Sequence, residues 1–233
     1  MGKSWKKAGK LEAAAKKGAA FTKVAREIAV AAKLGGGDPA ANSRLKLAIL
    51  AAKEVSCPKD TIERAIKKGT GELDDGSVIE EIVYEGYGPH GVGILVECQT
   101  DNRNRTVSEL RNMFKSNGGN LGESGAVAWM FERVAMIQGK KATVGDPDEE
   151  AIEAGANEVT KEEDGSYTFY ASPGDLDSVR TALQGRGFEV TAAELSYKPK
   201  DSAQITEDQK KEVYELLALL EENDDSHRVH ANV

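Results

Sequence analysis

The spacing of apolar residues changes once along this chain, near residue 77, and that change constrains the fold more than any motif does. Up to about residue 72, apolar side chains recur every three or four positions, the period of helices with one buried face. From Val78 onward, short apolar runs alternate with Gly-rich and capping segments, the pattern of interleaved strands and helices. A chain of 233 residues is long enough for two or three small cores.

In the first segment Phe21, Val24, Ile28 and Ala32 form one stripe, with Lys23, Arg26 and Lys33 on the opposite side. Gly35-Gly36-Gly37 is expected to end this helix. Asp38-Pro39 is expected to start the next, as cap and first-turn proline. Leu45, Ala48, Ile49 and Ala52 form its apolar face. A third helix opens at Ser56-Cys57-Pro58-Lys59 and carries Ile62, Ala65 and Ile66. Gly69 and Gly71 stop it, and the stretch Gly69–Ser77 marks the end of a first domain, residues 1–77.

Beyond it, Ile82–Tyr84 and Val92–Cys98 read as strands flanking Gly86–Gly91. Thr106-Val107-Ser108-Glu109 has the form of a capping box opening a helix with Val107, Leu110, Met113 and Phe114 on one face. Gly118–Gly122 reads as a tight turn, Ala126–Phe131 as a strand, and Val134–Gln138 as its continuation or the next strand. The theme then repeats: helix Asp148–Ala154, strands Glu158–Thr160 and Tyr167–Ala171, a helix with Leu176, Val179 and Leu183, and strand Glu189–Leu195. A second capping box, Thr206 to Gln209, precedes the stripe Val213, Leu216, Leu217 and Leu220, and Val229–Val233 reads as a last strand. The expected fold class is α+β: an N-terminal helical domain followed by two ferredoxin-like α/β domains, the third inserted into the second. The expected domains are 1–77, 78–133 plus 200–233, and the insert 134–199.

Charge divides at nearly the same boundary. Residues 1–72 carry 16 Lys and Arg against 7 Asp and Glu, whereas the whole chain carries 31 against 39, which leaves 15 against 32 for the remainder. A polyanion responds to the local face rather than to the average, so a basic head on an acidic body points to nucleic acid. No apolar run approaches the roughly 20 residues of a spanning helix, and no membrane partner is expected. Met1–Lys10 has no apolar core of the kind a secretory signal needs. Cys57 and Cys98 lack CxxC spacing, which gives neither a thiolate zinc site nor a disulfide framework. The expectation is a reduced, cytoplasmic protein.

Few motifs carry chemistry. Gly86-Tyr87-Gly88-Pro89-His90-Gly91 matches GxGxxG as a string. A dinucleotide site needs a strand before it and a helix after it, whereas Pro89 and a following strand make this a loop between strands. His227 and His230 lie near Asp224 and Asp225, a conceivable metal cluster, but the segment reads as a polar C-terminal loop with a solvated surface. Glu80-Glu81 and Glu221-Glu222 likewise read as solvated faces. No nucleophile and base pair up, so no catalytic centre, metal, cofactor or small-molecule substrate is expected.

The basic residues are more informative. Lys3, Lys6, Lys7 and Lys10 follow i, i+3, i+4, i+7 spacing, Lys16 and Lys17 come next, and Trp5 stands among them. Lysine is a point charge suited to phosphate, and tryptophan can stack on a base. The bland reading is a solvated helix face; the concentration of charge in one domain favours polyanion binding. Asp101 to Thr106 lies where a strand gives way to a helix, which places Arg103 and Arg105 beside exposed N–H groups that can hold phosphate. Equally, these arginines can pair with the acidic body. The expected nucleic-acid-binding set is Lys3, Trp5, Lys6, Lys7, Lys10, Lys16, Lys17, Lys23, Arg26, Lys33, Arg44, Arg64, Lys67, Lys68, Arg103 and Arg105.

Ordered matches also carry a resemblance. Phe21-Thr22-Lys23, Leu34 to Pro39 (LGGGDP), Asn42, Arg44-Leu45, Pro58-Lys59 and Ile62 to Ile66 (IERAI) come first. Tyr84 to Pro89 (YEGYGP), Thr100 to Thr106 (TDNRNRT), Gly118 to Gly122 (GGNLG) and Trp129-Met130-Phe131 follow. In these the chain resembles the YebC/PmpR family, which includes the mitochondrial translational activator of cytochrome c oxidase subunit one. The likeness covers nearly the whole chain and is strongest from about residue 19 to 133. It implies a helical head, two α/β domains and a non-enzymatic cytoplasmic regulator of gene expression. Some members are described as DNA-binding transcriptional regulators, others as ribosome-associated translation factors. The chain departs from the family at its start, with Gly2-Lys3-Ser4-Trp5 in place of the usual Gly-His-Ser-Lys-Trp.

The expected function is therefore DNA-binding transcriptional regulation. The alternative is a ribosome-associated translation factor that binds ribosomal or transfer RNA. A second alternative is an adaptor whose acidic domains bind a basic protein. The head shows no helix-turn-helix with base-reading Arg, Asn or Gln, which tilts the physics toward structured RNA or phosphate-only contact.

Overall fold

The computed structural model describes residues 4–73, 76 and 78–233, with residues 4–17 described by backbone alone. In chain order the elements are α1 (Ser4–Gly35), α2 (Ser43–Glu54), α3 (Lys59–Thr70), β1 (Glu80–Tyr87), β2 (Gly93–Thr100), α4 (Arg103–Ser116), β3 (Asn120–Leu121) and β4 (Phe131–Lys140). They continue as α5 (Pro147–Ala154), β5 (Glu158–Lys161), β6 (Tyr167–Ala171), α6 (Leu176–Gly185), β7 (Glu189–Pro199), α7 (Glu207–Glu222) and β8 (Ser226–Ala231). This is the α+β class, N-terminal helices followed by two antiparallel sheets. The chain divides into two compact units. The first runs through Val127 and takes back Ala203–Ala231, and the second is Ala128–Ser202.

The helical head of the first unit packs Ile28, Ala31 and Ala32 of α1 against Leu45, Ala48 and Ala52 of α2 and Ile62 and Ala65 of α3. Small side chains let the helices approach closely. A Cβ at Gly69 would stand 2.2 Å from the Ala29 carbonyl oxygen and 2.7 Å from Ala32 Cβ. The expected start of α2 at Asp38-Pro39 is corrected to Ser43. The Asn42 side chain accepts from the Leu45 N–H at 3.0 Å and donates to the carbonyls of Ala31 at 2.8 Å and Gly36 at 2.9 Å. One amide thus caps α2 and closes the end of α1. Asp38 instead makes a turn, accepting from the Ala40 N–H at 2.9 Å.

The first unit's sheet has the order β3-β1-β2-β8 with antiparallel neighbours. α4 and α7 cover one face, where Leu110, Phe114, Val213, Leu216 and Leu220 pack on Val92, Ile94, Val96 and Cys98. The GxGxxG string is a hairpin. Gly86 lies in β1 where a Cβ would stand 2.7 Å from the Phe114 ring, and the turn at Pro89–Gly91 uses positive φ at His90 and Gly91. Two sequence expectations fail here. α4 is capped by Asn102, whose side chain accepts from the Arg105 N–H at 3.1 Å, so Thr106 is an interior helix residue and not a cap. Residues 126–130 are not strand, because the buried Glu85 carboxylate accepts from the N–H groups of Gly125 at 2.7 Å and Val127 at 2.8 Å and holds this segment as a turn.

The second unit follows β4-α5-β5-β6-α6-β7 with sheet order β5-β6-β4-β7, the ferredoxin-like arrangement. Phe169 and Phe188 meet edge to face at 5.1 Å between ring centroids in a core with Ile137, Val179 and Leu183. The first sheet occupies the same four positions by another route, because β1 enters before β2 rather than after β3.

Within the first unit, α1 is tied to the sheet by two carboxylates. Asp225, only 2% exposed, takes Arg26 at 2.8 Å, Arg105 at 2.9 Å and the Thr106 hydroxyl at 2.7 Å. Burial alone would raise the Asp225 pKa. The hydrogen bonds from Thr106 and Arg105 and the charge of Arg26 outweigh it and hold the group below the usual carboxylate range. Glu27 of α1 receives Arg44 in a two-pronged contact at 2.8 and 3.0 Å and Gln99 of β2 at 2.7 Å. Arg44 also reaches Glu81 of β1 at 2.7 Å. Burial opposes the charge on Glu27 too, and Arg44 overrides it, so the Glu27 pKa is also lowered. Nε2 of His227 lies 3.3 Å from Glu27 without a hydrogen bond. Burial, the largest influence, pushes its pKa down to about 4.

Gly69→Ala distinguishes packing from helix propensity. Propensity alone predicts a gain of about 1 kcal/mol, whereas overpacking against the α1 backbone predicts a loss of about 1–3 kcal/mol. A urea melt reads the sign. Asp225→Ala is expected to cost about 3 kcal/mol, because it leaves two guanidinium groups without their shared anion; a melt within about 0.5 kcal/mol of wild type would show the joint to be dispensable. Acid weakens the fold in two stages. His227 protonates more readily unfolded than folded, so between its ordinary value near 6.5 and about 4 stability falls by roughly 3 kcal/mol. From the ordinary carboxylate range downward, Glu27 and then Asp225 progressively lose the stability they contribute when ionised, because both are held below their ordinary values in the fold. His227→Gln is expected to flatten the upper limb of the stability–pH curve, and an unchanged limb would assign it to other groups.

Candidate nucleic-acid interface

The fold sorts the expected basic residues into three groups. Lys3 lies outside the described residues. Trp5, Lys6, Lys7, Lys10, Lys16 and Lys17 fall in α1, but their side chains lie outside the description. A second group is engaged within the chain. Lys23 donates to the Glu221 carbonyl and Arg26 to the Asp224 carbonyl as well as to Asp225, while Lys33 reaches the Ile79 carbonyl at 3.4 Å. Burial, only partly offset by Asp224 and Glu221, lowers the Lys23 pKa. Arg44 bridges Glu27 and Glu81, Arg103 pairs with Glu80, and Arg105 pairs with Asp225 and Asp101. Glu80 and Glu81 are therefore not merely solvated acids; they receive arginines.

The third group faces outward. Arg64 and Lys67 of α3 are exposed and make no ion pair among the described residues, and the less exposed Lys68 lies beside them. Two cations outside the expected set join them. Lys46 and Lys53, seven residues apart on α2, are exposed and likewise unpaired among the described residues, with Leu50 between them 42% exposed. The signal for them was available: both fall off the stripe of Leu45, Ala48 and Ala52. The exposed cations of α2 and α3 are thus three separated lysines and one arginine, a set suited to neutralising a phosphate backbone rather than reading base edges.

Other candidate chemistry is accounted for inside the fold. Burial pushes the Cys98 thiol up to about 12 and raises that of Cys57, which disfavours the thiolate needed for attack or metal binding. His227 and His230 are not in a solvated loop. They lie in β8, and Nε2 of His230 is 2.6 Å from Glu97. Among the described residues no group of three or more His, Cys, Asp or Glu could hold a metal ion. Among them also, no helix is long and apolar enough to cross a membrane.

Comparison with known proteins agrees in both halves of the chain. Residues 2–72 match the family described as the TACO1/YebC protein N-terminal domain. Residues 79–233 match the TACO1/YebC second and third domain. A protein of Bdellovibrio bacteriovorus named "Probable transcriptional regulatory protein" is 64% identical over 233 residues, the whole of both chains. One of Myxococcus xanthus with the same description is 47% identical over 98% of this chain and 92% of its own. The crystal structure of a conserved hypothetical protein from Aquifex aeolicus superposes with a TM-score of 0.84 at 44% identity, covering 94% of this chain and 90% of that one. In its helical head and in both of its sheets, the chain belongs to the TACO1/YebC family.

Proposed function

We propose that this chain is a nucleic-acid-binding regulator of gene expression that acts on DNA in the cytoplasm, through binding and without catalysis. The observation that carries the reading is the outward face of the head. Lys46, Lys53, Arg64 and Lys67 remain exposed and without an ion pair among the described residues, although Arg26 and Arg44 are drawn to acids of the sheet domain. The transcriptional-regulator names of the relatives support the regulatory role. A binder rather than a catalyst fits the buried titratable groups, since Glu27 and Asp225 hold internal partners and the thiols are held protonated. Ribosomal RNA is the alternative target, because three of these four cations are lysines, which recognise phosphate without base identity.

Fluorescence anisotropy on a mixed-sequence DNA duplex and on a ribosomal RNA hairpin, across a salt series, tests the proposal. The logarithm of affinity is expected to fall linearly with the logarithm of salt, at a slope steeper than about −3. The variant K46E/K53E/R64E/K67E is expected to flatten that slope by about one for each charge removed. Tighter binding to the duplex supports transcription, and tighter binding to the hairpin supports translation. An affinity independent of salt on both probes would overturn the nucleic-acid reading.

A further inference from the structure

We infer that α4 carries a second nucleic-acid-binding face, which grips the backbone of the same nucleic acid as the head. The inference rests on the nucleic-acid reading above and extends it to the sheet domain. α4 buries Thr106, Leu110 and Phe114. Its exposed side presents Asn104, Ser108, Arg111 and Lys115, spaced four, three and four residues apart, with Asn112 alongside. That spacing sets them on one stripe of the helix.

The chemistry of this stripe is at odds with its surroundings. The chain beyond residue 72 holds 32 acidic against 15 basic residues, yet the stripe contains no carboxylate. The acidic residue inside α4, Glu109, turns aside to accept from Asn223 at 2.8 Å. Arg111 and Lys115 make no ion pair among the described residues, whereas Arg103 and Arg105, about two to three helix turns before them, are both paired with acids. The neighbouring α7 carries six acids against Lys210 and Lys211, which pair with Glu207 and Asp208, and it leaves Glu215 exposed with Glu212 beside His90. A polyanion approaching this domain is repelled by α7 and admitted by α4. Arginine and lysine supply the phosphate contacts, and the Asn104 and Asn112 side-chain amides supply neutral donors for phosphate and sugar oxygens, while the Ser108 hydroxyl donates to the Asn104 carbonyl at 2.8 Å.

Position adds to composition. α4 starts at the Asp225 joint, where Arg105 and Thr106 share one carboxylate with Arg26 of α1. The helix of the head and the basic helix of the sheet domain are therefore fastened to each other, so two cationic faces are held in fixed relation. A bound strand that touches both gains contacts without the cost of ordering a flexible joint.

The test compares R111E/K115E with R133E/K161E, which makes the same charge change at exposed cations of the second unit. Both are read in the full-length protein against the same DNA duplex and RNA hairpin, with thermal melts confirming folding. R111E/K115E is expected to lower affinity about tenfold or more and to reduce the magnitude of the salt slope by about two, with less than a twofold effect from R133E/K161E. N104A/N112A is expected to weaken binding severalfold with the slope unchanged. Two double reversals with equal effects would overturn the inference. If K46E/K53E/R64E/K67E abolishes salt-dependent binding while R111E/K115E leaves it intact, the second face falls and the head reading stands. If wild type shows no salt-dependent binding, both fall together.

Discussion

Asp225 is a carboxylate almost without solvent, and the first unit is arranged around that fact. A buried charge costs several kcal/mol unless cations and hydrogen-bond donors replace the water it has lost. Here the replacements come from distant parts of the chain: Arg26 from the head, Arg105 and Thr106 from the first turns of α4. Meeting the needs of one anion therefore fixes α1 against the sheet domain. Glu27 works in the reverse direction, a head carboxylate that receives Arg44 and Gln99. Gln99 of β2 reaches Glu27 directly and Arg44 of α2 carries the contact on to Glu81 of β1, so a second polar joint holds the head to the sheet.

The same contacts decide which cations reach solvent. The basic surplus of the head suggests that all of its lysines and arginines face a polyanion, yet the side of α1 bearing Lys23 and Arg26 is turned onto the body. Among the described residues of the head, the cations left exposed and without an ion pair, Lys46, Lys53, Arg64 and Lys67, lie on α2 and α3. A count of charges along the chain measures the potential of a domain at long range, but it does not identify the contact surface, because internal acids select the cations nearest to them.

Much of the fold was legible because periodicity is a local property. The stripe Leu45, Ala48 and Ala52, the strand Tyr167–Ala171 and the capping box at Thr206 all appear where the spacing placed them. Caps were less legible, since Asn, Asp and Thr compete for the same role within a few residues. Asn42 prevailed over Asp38 because its amide also serves the end of α1. Thr106 was unavailable as a cap because its hydroxyl faces Asp225, more than a hundred residues ahead. The division of arginines between structure and surface was hidden for the same reason: Arg26 and Asp225 become neighbours only after the second unit has been looped out and the chain has returned as α7 and β8.

That return gives the charge asymmetry a consistent physical sense. The returning segment engages one side of α1, through the Asp225 carboxylate on Arg26 and the Glu221 carbonyl on Lys23; in the proposed arrangement the acids exposed along α7 keep a polyanion off that part of the sheet domain. A wholly basic protein would bind nucleic acid on every side and at every angle. In the proposed arrangement, attraction is limited to the exposed cations of α2 and α3 and to the stripe on α4. On that proposal, the Asp225 link between α1 and α4 would present both surfaces to a ligand at one fixed angle. Selectivity of this kind comes from where repulsion is placed as much as from where cations are exposed.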